Sequence, residues 1–153
     1  MITAWRIVDP KYADDAFSGE GPRRMGGRWT PRGVVVVYTA SNISLATLEI
    51  LVRNQRALRV PEYALISCHF PEAIVEAVDR NTLPANWRDY PGPVELQAIG
   101  GAWLKAKTSA VLEVPSAVVE EEVNYLLNPE HHDFRSVDIS LPRSFRLDPR
   151  LIT

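Results

Sequence analysis

The chain predicts a single α+β domain spanning residues 1–153. Three observations carry that expectation. Short β-branched and aromatic runs recur along the chain, the longest being Val34-Val35-Val36-Val37-Tyr38-Thr39. Only two segments have the length and apolar content of buried helices, near residues 43–55 and 94–107. Strands and helices do not alternate as a βαβ repeat, and no phosphate-loop signature, internal repeat or low-complexity segment is present.

The elements follow in order. Ala4–Val8 reads as a strand closed by Asp9-Pro10. Residues 11–33 hold five of the eight glycines together with Pro22 and Pro31, so a long functional loop is expected there. Residues 34–39, bounded by Gly33, read as a central strand buried on both faces. Ser41 or Asn42 can cap the next helix, Ile43–Gln55, whose apolar residues surround it and predict burial on all sides. Residues 62–70 form a further strand, and Ile74–Val78 a shorter one. Residues 79–93 are loop, with Pro84, Pro91, Gly92 and Pro93. Val94–Lys107 is a helix despite Gly100-Gly101, a pair that weakens it by about 1 kcal/mol each unless close packing needs them. Ala110–Val114 is a strand ended by Pro115, and Ser116–Val119 a short apolar segment. Asn124–Asn128, before Pro129, reads as a turn or short helix. Val137–Ile139 and Ser144–Leu147 close the sheet.

The composition limits function. At 153 residues a chain can bury roughly 68–70% of its unfolded surface, so no staple is required. A formal net charge of −2 speaks against a broad nucleic-acid surface. The lone cysteine, Cys68, excludes a disulfide framework and fits a reducing compartment; on a strand it reads as an inert buried thiol. No apolar run is long enough to span a bilayer, and Met1–Arg6 does not resemble a signal peptide. A cytoplasmic protein without membrane contact is expected.

Candidate chemistry begins at Glu49, a carboxylate inside the apolar run Leu45–Val52. A polar group buried there without a partner costs about 2–7 kcal/mol, so Glu49 should be paired or used. Upstream lie Gly26-Gly27-Arg28-Trp29 and Tyr38. The glycines permit close backbone approach, and a guanidinium binds phosphate bidentately. A tyrosine ring can stack on a flat heterocycle, and a carboxylate can hold a ribose hydroxyl or stabilise positive charge on a sugar carbon. A structural Arg28–Glu49 ion pair, with Tyr38 as ordinary core, explains the spacing equally well. Other arrangements are weaker. His131, His132 and Asp133 match no metal spacing, so no metal is expected. Cys68 and His69 point to opposite faces of a strand. Ser116 with His131 or His132 lacks the nucleophile-elbow pattern of a serine hydrolase.

Gly26-Gly27-Arg28-Trp29-Thr30-Pro31, Val36–Ala40 and Leu45–Glu49 together resemble the signature of RES-domain proteins. Val114–Val119 and Asn124–His131 resemble that family's second half, although Thr30 stands where the family usually has Asn, and Glu120 and His132 where proline is common. The resemblance covers most of the chain, from Trp5 to about Asp133, and places the family's namesake Arg, Glu and Ser at Arg28, Glu49 and Ser116. It implies an ADP-ribosyltransferase-like split β-sheet with a few packed helices. It also implies the toxin of a bacterial type II toxin–antitoxin pair that cleaves the nicotinamide–ribose bond of NAD⁺, as a glycohydrolase or phosphorolase. Protein ADP-ribosyl transfer is the alternative activity, and a non-catalytic interaction domain the alternative class. RNA cleavage, common among toxins, is disfavoured by the acidic balance and the lack of a paired His and Lys site. NAD⁺ would be substrate, with no prosthetic group. Arg28, Tyr38 and Glu49 would be catalytic, and Arg28, Tyr38, Ser116 and Asn124 would bind NAD⁺. The implied partner is an Xre-type helix-turn-helix antitoxin, with a homodimer left open and no direct nucleic-acid contact.

Overall fold

The computed structural model describes residues 1–53 and 62–152. One eight-stranded sheet organises them. Its strands are β1 (Ile2–Val8), β2 (Val37–Ala40), β3 (Glu62–Phe70), β4 (Val75–Ala77), β5 (Val111–Pro115), β6 (Val123–Leu127), β7 (Asp138–Ile139) and β8 (Arg143–Arg146). The order is β4-β5-β6-β2-β1-β3-β7, with β8 also on β3. All pairs are antiparallel except β4 with β5. Three helices accompany the sheet: α1 (Glu20–Met25), α2 (Ile43–Arg53) and α3 (Val94–Ala106). The α+β expectation holds.

Register decides which side chains share a face. Tyr38 pairs with Leu126, and Ala40 with Asn124. Val114 also faces Asn124. Tyr38, Asn124, Leu126 and Val114 therefore project to one side, and both long helices cover that side. Over β1–β3, α2 supplies Leu45, Ala46 and Ile50 to a core with Ile7, Ala40 and Leu65. Over β5 and β6, α3 supplies Leu96 and Trp103 to a core with Trp29, Val36, Leu112 and Leu126. The opposite face is closed by Phe70, Ile74, Tyr125 and Val137.

The two halves of the sheet are joined narrowly. β1 and β2 share one bridge, Trp5 with Ala40. Beyond it, Arg6 Nη1 donates to the Tyr38 carbonyl at 2.9 Å. A side chain thus replaces a rung of the ladder.

Several expectations are corrected. Asn124–Asn128 is no turn: Val123–Leu127 is β6, in the interior of the sheet. Leu126 and Leu127 are both fully buried, on opposite faces, and that burial outweighs the flanking Asn and Pro. The predicted strand at 34–39 enters the ladder only at Val37 and runs to Ala40. The loop at 11–33 contains a 3-10 turn at Pro10–Asp15 and the short α1. Helix α2 is not buried all round, because Leu48 and Val52 are exposed. They lie on its outer side, where Leu48 and Leu51 line a shallow groove with Phe145, Leu147 and Leu151. Residues 54 and 55 of the expected helix lie outside the described residues. Asn42, not Ser41, makes the cap: its Oδ1 accepts from Leu45 N at 2.7 Å.

Candidate functional site

The site is assembled where α2, the 26–30 turn, the end of β5 and the start of β6 meet. Glu49 projects from α2 and is half-buried. Its Oε1 accepts two hydrogen bonds, from Ser116 Oγ at 2.9 Å and from Asn124 Nδ2 at 2.8 Å. Oε2 has no hydrogen-bond partner among the described residues. The Glu49 carboxylate is therefore held by one oxygen and presented by the other.

Each donor is fixed in turn. Ser116 follows β5 and is fully buried. Its Oγ accepts from the amides of Val118 and Val119, both at 3.1 Å. Those bonds occupy its acceptor sites and leave the hydroxyl proton for Glu49. Asn124 is the second residue of β6, with its Oδ1 buried and unpaired. The same turn is tied to the α2 cap, since Asn42 Nδ2 donates to Glu122 Oε2 at 3.0 Å.

Arg28 approaches from the glycine-rich turn. Gly26 sits at φ +75°, a backbone conformation that favours glycine. Gly27 N donates to the Thr30 carbonyl at 2.9 Å, closing the turn. Tyr38 then clamps it: its hydroxyl lies 2.6 Å from Thr30 Oγ1 and accepts from Trp29 N at 3.3 Å. A methyl added at Gly27 would overlap that hydroxyl. From the other side, Gln97 Nε2 donates to the Gly27 carbonyl at 3.1 Å, and Gly100 lies directly against the Trp29 carbonyl. Here the Gly100 of α3 has its reason: only a residue without Cβ admits the turn.

The Arg28 guanidinium is held by one nitrogen. Nη1 donates to the carbonyls of Trp87 and Asp89, both at 2.9 Å. Nε and Nη2 have no hydrogen-bond partner among the described residues. Burial lowers the Arg28 pKa, while Glu49, Asp89 and Tyr90 oppose that shift. Arg28 and Glu49 thus sense each other's charge, yet no ion pair within 4 Å joins them among the described residues. The structural ion pair is not formed. Burial raises the Tyr38 pKa, with its hydrogen bonds to Thr30 and Trp29 acting the other way, so Tyr38 is a neutral phenol near neutral pH.

The weaker arrangements dissolve. His131 Nε2 lies 2.9 Å from the Lys107 carbonyl, and its Nδ1 accepts from Asp133 N at 3.0 Å. With both ring nitrogens engaged, it offers no free ligand atom, although His132 and Asp133 are adjacent. The Ser116 hydroxyl goes to Glu49 and not to a histidine. Burial pushes the Cys68 thiol up to about 12, which keeps it protonated and unreactive.

The structure thus brings Glu49, Ser116 and Asn124 into direct contact and puts Arg28 on the adjoining turn, which the hydroxyl of Tyr38 clamps from β2. The sequence reading missed two arginines. Arg6 lies between β1 and β2, with its Nε buried and unpaired and its pKa lowered to about 10 by burial and by Arg53. A lone cation inside the Ala4–Val8 strand was its signal. Arg88 lies in the 79–93 loop and contacts the turn after Ser116. Nothing in the sequence pattern marks it.

Comparison with known proteins agrees with this architecture. The RES domain family matches residues 3–148 of the chain. The chain belongs to the RES domain family. A protein named Toxin Res from Yersinia enterocolitica is 38% identical over 148 residues, covering 96% of this chain and 97% of that protein. Toxin Res of Photorhabdus laumondii is 36% identical, covering 97% and 96%. A Sphingobium protein named Prs ADP-ribosylating toxin is 35% identical, covering 97% and 95%. Among solved structures, the M. tuberculosis MbcT–MbcA toxin–antitoxin complex contains a chain similar in fold. Its TM-score is 0.74 at 22% identity, over 99% of this chain and 86% of that one.

Proposed function

We propose that this protein is the toxin of a toxin–antitoxin pair and that it cleaves the nicotinamide–ribose bond of NAD⁺. The observation that carries the chemistry is the half-held carboxylate of Glu49: Oε1 takes two donors and Oε2 takes none among the described residues. A carboxylate so fixed is oriented before any ligand arrives, and fixed charge is usually the largest catalytic term. The names of the relatives support the toxin role and, in the Sphingobium case, the use of an ADP-ribosyl donor.

In this reading the C–N bond to nicotinamide breaks and nicotinamide leaves with the bonding electrons as a neutral molecule. Positive charge develops on the ribose ring, as in glycoside cleavage. Glu49 bonds a ribose hydroxyl through Oε2 and stabilises that charge. Arg28 offers Nε and Nη2 to the pyrophosphate. Tyr38 positions the turn carrying Arg28 and lines the nicotinamide side. Ser116, fully buried with its hydroxyl fully engaged, acts by holding Glu49 and not by touching the ribose as the resemblance implied, while Asn124 holds Glu49 and borders the ribose. Water, phosphate or a protein side chain then takes the sugar carbon; with water, a proton is released to solvent. Transfer to protein is the second reading, favoured by the name of the Sphingobium relative.

An Xre-type helix-turn-helix protein is the proposed antitoxin, in line with the toxin–antitoxin complex that shares the fold. The activity is tested by incubating purified protein with NAD⁺ and, separately, with total RNA. Nicotinamide release with intact RNA is expected. RNA fragmentation with unchanged NAD⁺ contradicts the proposal. Running the NAD⁺ arm with and without phosphate, and with labelled adenine, identifies the acceptor.

A further inference from the structure

We propose that Arg88, outside every motif discussed above, is a positioning residue that fixes the Ser116–Glu49 hydrogen bond. The inference rests on the proposed role of Glu49. Arg88 Nε donates to the Ala117 carbonyl at 3.0 Å and Nη2 to the Val118 carbonyl at 3.4 Å. The peptide group is planar, so the Ala117 carbonyl and the Val118 N–H belong to one rigid unit. The Val118 carbonyl and the Val119 N–H belong to the next. Both N–H groups point at Ser116 Oγ, at 3.1 Å. Arg88 therefore grips the oxygen ends of the two peptide planes whose nitrogen ends hold the serine. A charged donor on each carbonyl polarises the bond made by the N–H at the other end of the unit. The hydroxyl so constrained has Glu49 Oε1 as its acceptor, at 2.9 Å.

The loop carrying Arg88 is anchored on both sides of the site. Arg28 Nη1 binds the carbonyls of Trp87 and Asp89, the residues flanking Arg88. Arg80 Nη1 donates to the Glu120 carbonyl at 2.8 Å. The 80–93 loop is thus a strap between the Arg28 turn and the Ser116 turn, and Arg88 is its contact to the serine. Its ion pair with Glu120, at 3.6 Å between half-exposed side chains, is a separate and weaker tie. A planar fork that bonds two neighbouring carbonyls is not reproduced by lysine, which bonds as a point charge.

The full-length protein tests this through Arg88→Ala, Arg88→Lys, Glu120→Ala, Ser116→Ala and the Arg88→Ala/Ser116→Ala double variant. Arg88→Ala is expected to lower kcat for NAD⁺ about five- to tenfold with KM within about twofold, as loss of a charge-assisted hydrogen bond acting through a neighbour predicts. Arg88→Lys recovers part of that loss, and Glu120→Ala stays at the wild-type rate. In the Ser116→Ala background, Arg88→Ala has no further effect, because the atom it positions is gone. Amide exchange gives a readout independent of catalysis: Val118 and Val119 should exchange at least about fivefold faster in Arg88→Ala, since the peptide planes that carry these amides are no longer held. Unchanged exchange at both amides overturns the proposal, as does an equal loss of kcat with and without Ser116. A wild type that releases no nicotinamide would overturn the catalytic reading instead, and the exchange rates would then decide the positioning role alone.

Discussion

Glu49 accepts both of its protein hydrogen bonds on the same oxygen, from Ser116 and Asn124. Two donors on one oxygen fix the plane of the carboxylate, and the second oxygen has no hydrogen-bond partner among the described residues. The residue was visible in the sequence because a carboxylate in Leu45–Val52 needed an explanation. Its partners were less visible. Spacing favoured Arg28 as much as any other, yet Arg28 binds backbone carbonyls at residues 87 and 89, which leave no trace in side-chain identity. At this scale Cys68 gives a clean prediction. Its thiol is buried and its pKa is raised from 9.0 to about 12. The sign follows from proton counts: between these values the unfolded thiol has lost its proton while the folded one keeps it, so stability contributed below pH 9 is lost as pH rises towards 12. Native protein should resist alkylation at Cys68 at pH 8, whereas protein unfolded in guanidinium should react within minutes. Rapid native labelling would contradict the burial.

Among the elements, α3 and the 26–30 turn show how packing decides what propensity leaves open. Gly100 and Gly101 weaken a helix equally on propensity alone. In the structure a methyl at Gly100 would overlap the Trp29 carbonyl oxygen, while one at Gly101 would meet Pro31 Cδ at 3.6 Å, an ordinary contact. Gly100→Ala should therefore destabilise by roughly 1–3 kcal/mol, or about 2–4 °C of Tm per kcal/mol, and displace the turn bearing Arg28. Gly101→Ala should raise stability by about 0.5–1 kcal/mol. Thermal melts of the two variants check this, and equal shifts would contradict the packing. The helix cap was readable from Ser41-Asn42, and Asn42 makes it; Asn42→Ala should cost about 1 kcal/mol in denaturant titration. The sixth strand was misread because Asn124 and Asn128-Pro129 signal a turn locally. Its place between β5 and β2 is set by contacts far away in sequence, which local pattern does not carry.

In the whole molecule, the α+β class follows from short strands without a βαβ repeat, and the order of the strands does not. The narrow junction of β1 with β2 depends on a single bridge and on Arg6. Arg6 is a half-buried cation, disfavoured by burial and by Arg53, with Asp15 and the Tyr38 carbonyl acting in its favour. Replacing Arg6 with alanine or with methionine leaves the Tyr38 carbonyl without its donor, and removing the whole side chain also opens a gap between the sheet halves. Arg6→Ala should destabilise by roughly 1–3 kcal/mol. Arg6→Met, which keeps the stem and removes the buried charge, should lie within about 1.5 kcal/mol of wild type. Urea unfolding of both variants tests the junction; equal losses would show that the charge, and not the filling of the gap, holds the halves together. Among the described residues no helix is long and apolar enough to cross a membrane. Arg28 and Tyr38 on one side, and Ser116 and Asn124 on the other, come from different parts of the chain. Ser116 and Asn124 reach Glu49 directly, and Arg28 senses its charge.

Nicotinamide release by purified wild type and by Glu49→Gln decides whether the Glu49 carboxylate does the proposed chemistry on NAD⁺. The glutamine retains an oxygen for Ser116 and Asn124 and removes the charge, so the fold and its Tm should be kept while release falls about 10²–10³-fold. Release at the wild-type rate from a folded Glu49→Gln protein would contradict that role.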